Sequence, residues 1–110
     1  MSRLNILMAD DDALVRAVVA EEIAEAGHSV RAVRNGEAVL NALDEDTFDI
    51  ILIDCAMPDM MGPKIARRVR EKWPQQAVAM LSGDDTPPDN VAAAQGFPII
   101  PKSRMSALLK

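Results

Sequence analysis

The chain has 110 residues, the length of a single domain, so we expect residues 1–110 to fold as one unit around one core. Its net charge of -5 and 3% aromatic content argue against direct binding of nucleic acid. Because no apolar run approaches the ~20 residues that span a bilayer, we expect no membrane contact. The one cysteine and the absence of a signal-peptide pattern at the start favour the reducing cytoplasm.

The first strand and first helix follow from the apolar pattern. Residues 4–9 form an apolar run that predicts a strand, and the acidic triplet at residues 10–12 follows it. A helix comes next, marked by apolar residues at helical spacing: Val15, Val18, Val19, Ile23 and Ala26. Asp12 is placed to cap this helix, and Gly27 to end it in a left-handed conformation. We expect His28 to lie exposed between this helix and the second strand.

The second strand and second helix are shorter. Residues 29–33 predict the strand, which ends at the turn signal Asn35-Gly36. Val39, Leu40 and Leu43 then mark the apolar side of a helix that fades in the polar residues 44–47.

Asp54 ends the most apolar run of the chain. Residues 50–53 read as a strand buried on both faces, as in a parallel sheet, and Pro58 stops any regular continuation. A carboxylate at the carboxyl end of a central parallel strand lies where open α/β sheets bind ligands. If the first and third strands are neighbours, Asp10, Asp11 and Asp54 converge at one edge of the sheet.

The remaining elements complete a strand-helix alternation. Gly62-Pro63 opens a third helix whose buried side carries Ile65, Val69 and Trp73. Its charged side is either solvated or a contact for an acidic partner. Residues 77–81 predict a fourth strand, 98–100 a fifth and 103–110 a short last helix, with a short Ala-rich helix before the fifth strand. This alternation predicts an α/β fold with a doubly wound parallel sheet and right-handed crossovers.

Three converging carboxylates need a counter-charge. Two unit charges about 4 Å apart repel by roughly 4 kcal/mol at an effective dielectric constant of 20. Gathering Asp10, Asp11 and Asp54 therefore requires either a proton or a bound cation. Mg²⁺ suits such a site because it binds one or two carboxylates, keeps several waters and accepts phosphate oxygens.

Four features in this order resemble the receiver domain of bacterial two-component response regulators. They are the acidic cluster with Arg16 after it, Asp54 within the run Asp-Cys-Ala-Met-Pro-Asp-Met-Met-Gly, Ser82 ending the fourth strand, and Lys102 after the fifth. The resemblance implies a five-stranded parallel sheet of order 2-1-3-4-5, as in flavodoxin-like folds, flanked by five helices. The last helix would here be short or truncated.

The resemblance also implies a function and a set of site residues. Asp54 would accept a phosphoryl group from a histidine kinase or phosphotransfer protein, and the switched surface would contact a downstream protein partner. Such a chain is a signalling phosphoacceptor rather than an enzyme. The metal ligands implied are Asp11, Asp54, the backbone carbonyl of Ala56 and, through water, Asp10. Ser82 would donate a hydrogen bond to the phosphoryl group, and the Lys102 ammonium would neutralise its charge.

Several residues depart from the family pattern. Met61 precedes Gly62 where the family usually has Asp or Asn, Ser103 rather than proline follows Lys102, and Ile99 replaces an aromatic residue. One alternative is therefore a pseudo-receiver that binds proteins without phosphorylation. Another is a Mg²⁺-dependent phosphohydrolase, but such an enzyme needs a cap over the site or a second acid two residues after the nucleophile, where Ala56 stands.

Overall fold

The structure, a computed structural model, describes residues 3–55, 62–82 and 97–101. Five parallel strands form one sheet in the order β2-β1-β3-β4-β5, which confirms the predicted fold class. The elements are β1 (Asn5–Ala9), α1 (Ala13–Glu25), β2 (Ser29–Val33), α2 (Gly36–Glu45), β3 (Ile50–Asp54), α3 (Gly62–Lys72), β4 (Ala77–Ser82) and β5 (Ile99–Pro101). The helices predicted before β5 and at residues 103–110 fall outside the described residues.

Helices cover both faces of the sheet. Successive side chains of each strand point to opposite sides, so one strand contributes to the core on both faces. On one face, Ile51 and Ile53 of β3 belong to a cluster with residues of α2 and α3. On the other face, Leu52 packs in a second cluster with Val19 and Ile23 of α1. The central strands therefore carry continuous apolar runs, as parallel sheets covered on both sides require.

Side-chain caps set the helix starts. The Asp12 Oδ1 atom accepts hydrogen bonds from the backbone N–H groups of Leu14 at 2.9 Å and Val15 at 3.2 Å, which confirms the predicted cap of α1. Gly27 follows that helix with φ 94°, as predicted. Asn35, predicted only as part of a turn, caps α2: its Oδ1 atom accepts from Ala38 N at 2.8 Å.

The prediction that His28 is exposed is wrong. The residue is only 9% exposed, and its Nδ1 atom accepts a hydrogen bond from the backbone N–H of Leu4 at 3.0 Å. The reason is geometric, since β2 starts beside the beginning of β1, where Ser29 N donates to Leu4 O at 2.9 Å. The imidazole therefore satisfies a backbone donor at the start of the sheet.

The prediction that Val18 lies on the buried side of α1 is also wrong. Val18 is 46% exposed and, one turn earlier, Leu14 is 74% exposed. The side facing the sheet instead follows the spacing of four residues through Val15, Val19 and Ile23. Within the described part of the chain, no helix has the length and apolar character that crossing a bilayer requires.

Candidate metal centre

Three carboxylates meet at the carboxyl ends of β1 and β3. These strands pair directly, with Ala9 opposite Ile53, so Asp10, the first residue after β1, comes level with Asp54, the last residue of β3. One oxygen from each of Asp10, Asp11 and Asp54 lies within 4.8 Å of the other two. The parallel register thus brings Asp54 beside Asp10 and Asp11, from which α1, β2 and α2 separate it in the sequence.

Burial makes this cluster electrostatically costly. Asp10 is 0% exposed and Asp54 is 7% exposed, whereas Asp11 is exposed. Two unit charges at 4.8 Å repel by about 3.5 kcal/mol at an effective dielectric constant of 20. The donor atoms are all carboxylate oxygens, the ligands that hard divalent cations such as Mg²⁺ prefer, so the residues present fit such an ion.

The loop after β1 is tied back to the first turn of α1. Asp12 N donates to the Asp10 carboxylate at 3.0 Å, and the Arg16 guanidinium donates to the Asp10 carbonyl at 2.8 Å. Arg16 is one of the residues that carry the resemblance to receiver domains, but the sequence did not predict this contact. The available signal was its place four residues after the helix cap, which returns its side chain toward the helix start.

Gly62 holds the other side of the centre. Its N–H donates to Cys55 O at 3.1 Å, and Cys55 N donates to Leu81 O at 3.0 Å. A Cβ atom on Gly62 would overlap the backbone carbonyl oxygen of Asp54 and lie 2.6 Å from Met80 Cε. Glycine is therefore required where α3 begins against the strand that carries Asp54, a reason that the sequence did not reveal.

The other predicted site residues are only partly described. The backbone of Ser82 ends β4 and pairs with Pro101 of β5, one position beyond Leu81, which lies opposite Asp54. The side chain of Ser82 and all of Ala56 and Lys102 lie outside the described residues. Their roles stay predictions, as do the roles of the three acids.

The charged side of α3 makes contacts within the chain. The Arg70 guanidinium lies 4.0 Å from the centroid of the Phe97 ring. Lys72 pairs with Asp44 at 2.9 Å and lies 4.8 Å from the Trp73 ring centroid. The last turn of the helix is thus bound to its neighbours.

An open depression of about 480 Å³ lies beside Trp73. It is at the end of the sheet opposite the carboxylates, so it has no part in their chemistry.

Comparison with known proteins places this arrangement in a family. The family model described as the response regulator receiver domain matches residues 6–100. The chain is 32% identical over 104 residues to the DNA-binding transcriptional regulator NtrC of Azospirillum brasilense, covering 93% of this chain and 22% of that protein. It is 33% identical over 78 residues to the response regulator receiver protein CpdR of Brucella abortus, covering 71% of this chain and 65% of that protein.

The fold agrees with these sequence relationships. The chemotaxis response regulator CheY4 of Vibrio cholerae superposes with a TM-score of 0.83 at 22% identity, covering 98% of this chain and 97% of that one. The chain spans about a fifth of the length of the NtrC relative that it matches. With the sheet order and the three converging acids, these matches show that the chain belongs to the response regulator receiver domain family, the phosphorelay signalling domains of two-component systems.

Proposed function

We propose that this chain accepts a phosphoryl group on Asp54 from a histidine kinase or phosphotransfer protein, with Mg²⁺ bound by Asp10, Asp11, Asp54 and the Ala56 carbonyl. The observation that carries the proposal is the meeting of three carboxylate oxygens within 4.8 Å in a receiver-domain fold. In the cytoplasm, the phosphorylated domain would then contact a downstream protein partner. The domain is a signalling phosphoacceptor rather than an enzyme with a separate substrate.

The place of Asp54 in the sheet supports the proposed transfer. It lies at the carboxyl end of the central strand β3 and is only 7% exposed, so the sheet restricts the orientation of its carboxylate. A carboxylate oxygen forms the new bond to phosphorus while the P–N bond of the donor phosphohistidine breaks. The departing imidazole keeps the electron pair and takes a proton from solvent, and Asp54 becomes an acyl phosphate.

Charge neutralisation supplies most of the acceleration in phosphoryl transfer. Bound Mg²⁺ would neutralise charge shared by the acids and the incoming phosphoryl oxygens. Asp10 and Asp11 would provide the carboxylates that hold it beside Asp54. The Lys102 ammonium would pair with the phosphoryl group from the β5 side, and the Ser82 hydroxyl would donate a hydrogen bond to it. That hydrogen bond would move the segment after β4 and so alter the surface that a partner contacts.

Phosphorylation by a small phosphodonor tests the proposal. With Mg²⁺ and acetyl phosphate, the intact mass of the chain should increase by one phosphoryl group. The mass should not increase when the metal is chelated or when the chain carries Asp54→Asn. Asp46→Asn is the matched control, since Asp46 is exposed and its Oδ1 accepts a local bond from Thr47 N at 2.8 Å, a bond that Asn retains. A wild-type chain that gains no mass under these conditions contradicts the proposal and favours the phosphorylation-independent binding module.

Switching is tested separately from phosphorylation. Amide spectra of the phosphorylated chain should change around Ser82, and Ser82→Ala should reduce that change while leaving the added mass in place. Phosphorylation without any spectral change near Ser82 would show that the chain accepts the group but does not switch through it.

A further inference from the structure

We propose that Arg16 is a positioning residue for the metal ligands, because its guanidinium donates a hydrogen bond to the carbonyl of the peptide group that joins Asp10 to Asp11. The inference rests on the proposed function. Of the three acids, Asp11 is the exposed one, and it lies between β1 and α1, outside both regular elements. Its orientation therefore depends on contacts made by its neighbours rather than on the sheet.

Both peptide groups that flank Asp11 are held. The Arg16 Nη1 atom lies 2.8 Å from the Asp10 carbonyl oxygen, and since a peptide group is planar, this bond orients the plane that joins Asp10 to Asp11. On the far side, Asp12 N donates to the Asp10 carboxylate at 3.0 Å. The two bonds together restrict the backbone of Asp11 from either side.

The first turn of α1 fixes the backbone from which the Arg16 side chain extends. Arg16 N donates to the Asp12 carbonyl at 2.8 Å, and Asp12 caps α1. Arg16 is half-buried, so its side chain is restricted before it reaches the Asp10 carbonyl. A charged donor on a restricted stem forms a stronger hydrogen bond than an exposed neutral group does.

Position and charge predict opposite effects of removing Arg16. A positive group beside the acids opposes the binding of another cation, so the charge alone would make Mg²⁺ bind more tightly when it is lost. Loss of the backbone contact would instead leave Asp11 poorly oriented and weaken binding. The sign of the change in affinity therefore distinguishes the two roles.

The test measures Mg²⁺ affinity by titration calorimetry in three variants. Arg16→Met removes the charge and the donor but keeps an apolar stem, and we expect about tenfold weaker binding, the usual scale for partners that orient metal ligands. Arg16→Lys keeps the charge but not the reach and planar geometry of the guanidinium, and binding should weaken severalfold. The control Arg3→Met removes the same charge and a hydrogen bond to Ser29 Oγ at 2.6 Å at the far edge of the sheet, and should leave affinity unchanged.

A second readout needs no metal. The amide signal of Asp11 in the metal-free chain should shift and broaden in Arg16→Met and keep its position in Arg3→Met. Equal or tighter Mg²⁺ binding by Arg16→Met, with an unmoved Asp11 signal, overturns the inference and leaves the proposed function intact. If Arg16→Met does not fold, Arg16→Lys decides, and an affinity equal to wild type overturns the inference. If the wild-type chain binds no Mg²⁺, the result contradicts the proposed function rather than the role of Arg16.

Discussion

Repulsion among the acids should make the metal-free chain less stable than its neutralised variant. Asp10 and Asp54 are the two buried acids of the cluster. Asp54→Asn removes one of their two charges while the side chain keeps nearly the same shape. The carboxylate oxygens lie within 4.8 Å of one another, so the pair repels by about 3.5 kcal/mol at a dielectric constant of 20. Against this gain, a neutral amide forms weaker hydrogen bonds than a carboxylate, a loss of about 1 kcal/mol. We therefore expect the free energy of unfolding to rise by about 2 kcal/mol, or Tm by roughly 10 °C.

Adding Mg²⁺ should reverse this order. An ion that binds only the folded chain stabilises it by about 2.7 kcal/mol at 100 times its dissociation constant, and Asp54→Asn should lose most of that gain. Thermal and urea unfolding with and without Mg²⁺ measure both effects, and Asp46→Asn should change neither. A metal-free Asp54→Asn chain that is less stable than wild type, or one that Mg²⁺ stabilises as much as wild type, would refute the electrostatic reasoning.

Three further predictions concern the scaffold of the site, each measured by urea unfolding. Gly62→Ala should destabilise the chain by about 1–3 kcal/mol, because its Cβ meets the Asp54 carbonyl and Met80. Gly27→Ala meets no atom within 4 Å and should cost only about 1 kcal/mol for its positive φ. A smaller loss for Gly62→Ala than for Gly27→Ala would contradict this. His28→Leu should cost about 1–3 kcal/mol because Leu4 N loses its acceptor, and an unchanged midpoint would show that water replaces it. Asp12→Ala should cost about 1 kcal/mol through loss of the α1 cap, whereas Asp12→Asn should cost less; equal losses would argue against capping.

Local patterns were sufficient to predict the elements that the structure describes. The run of four apolar residues before Asp54, the spacing of four through Val19 and Ile23, and the cap at Asp12 each depend on neighbours in the sequence. For that reason β2 was predicted with its observed bounds and β5 within one residue. The prediction failed at Val18 because α1 has two apolar stripes at helical spacing, one through Val18 and one through Val19. Periodicity does not distinguish them, and only packing against the sheet shows which one is buried.

Contacts that depend on how the elements pack together could not be predicted in the same way. His28 accepts from Leu4 across 24 positions, and Gly62 lies against the carbonyl of Asp54 for a reason that only the packing of α3 on β3 supplies. The position of Arg16 against the Asp10 carbonyl likewise depends on the angle at which α1 leaves the loop. Side-chain chemistry alone does not determine these distances.

The amino-acid sequence by itself determined which residues could form a metal centre and which strand ends would carry them, because residue type and apolar periodicity are local properties. Only the tertiary structure decided that Asp10 and Asp54 are buried while Asp11 is exposed, and that Arg16 and Gly62 hold the backbone around them. The physical reason is that burial and close approach arise from the parallel pairing of β1 with β3 and from helices packed on both faces of the sheet.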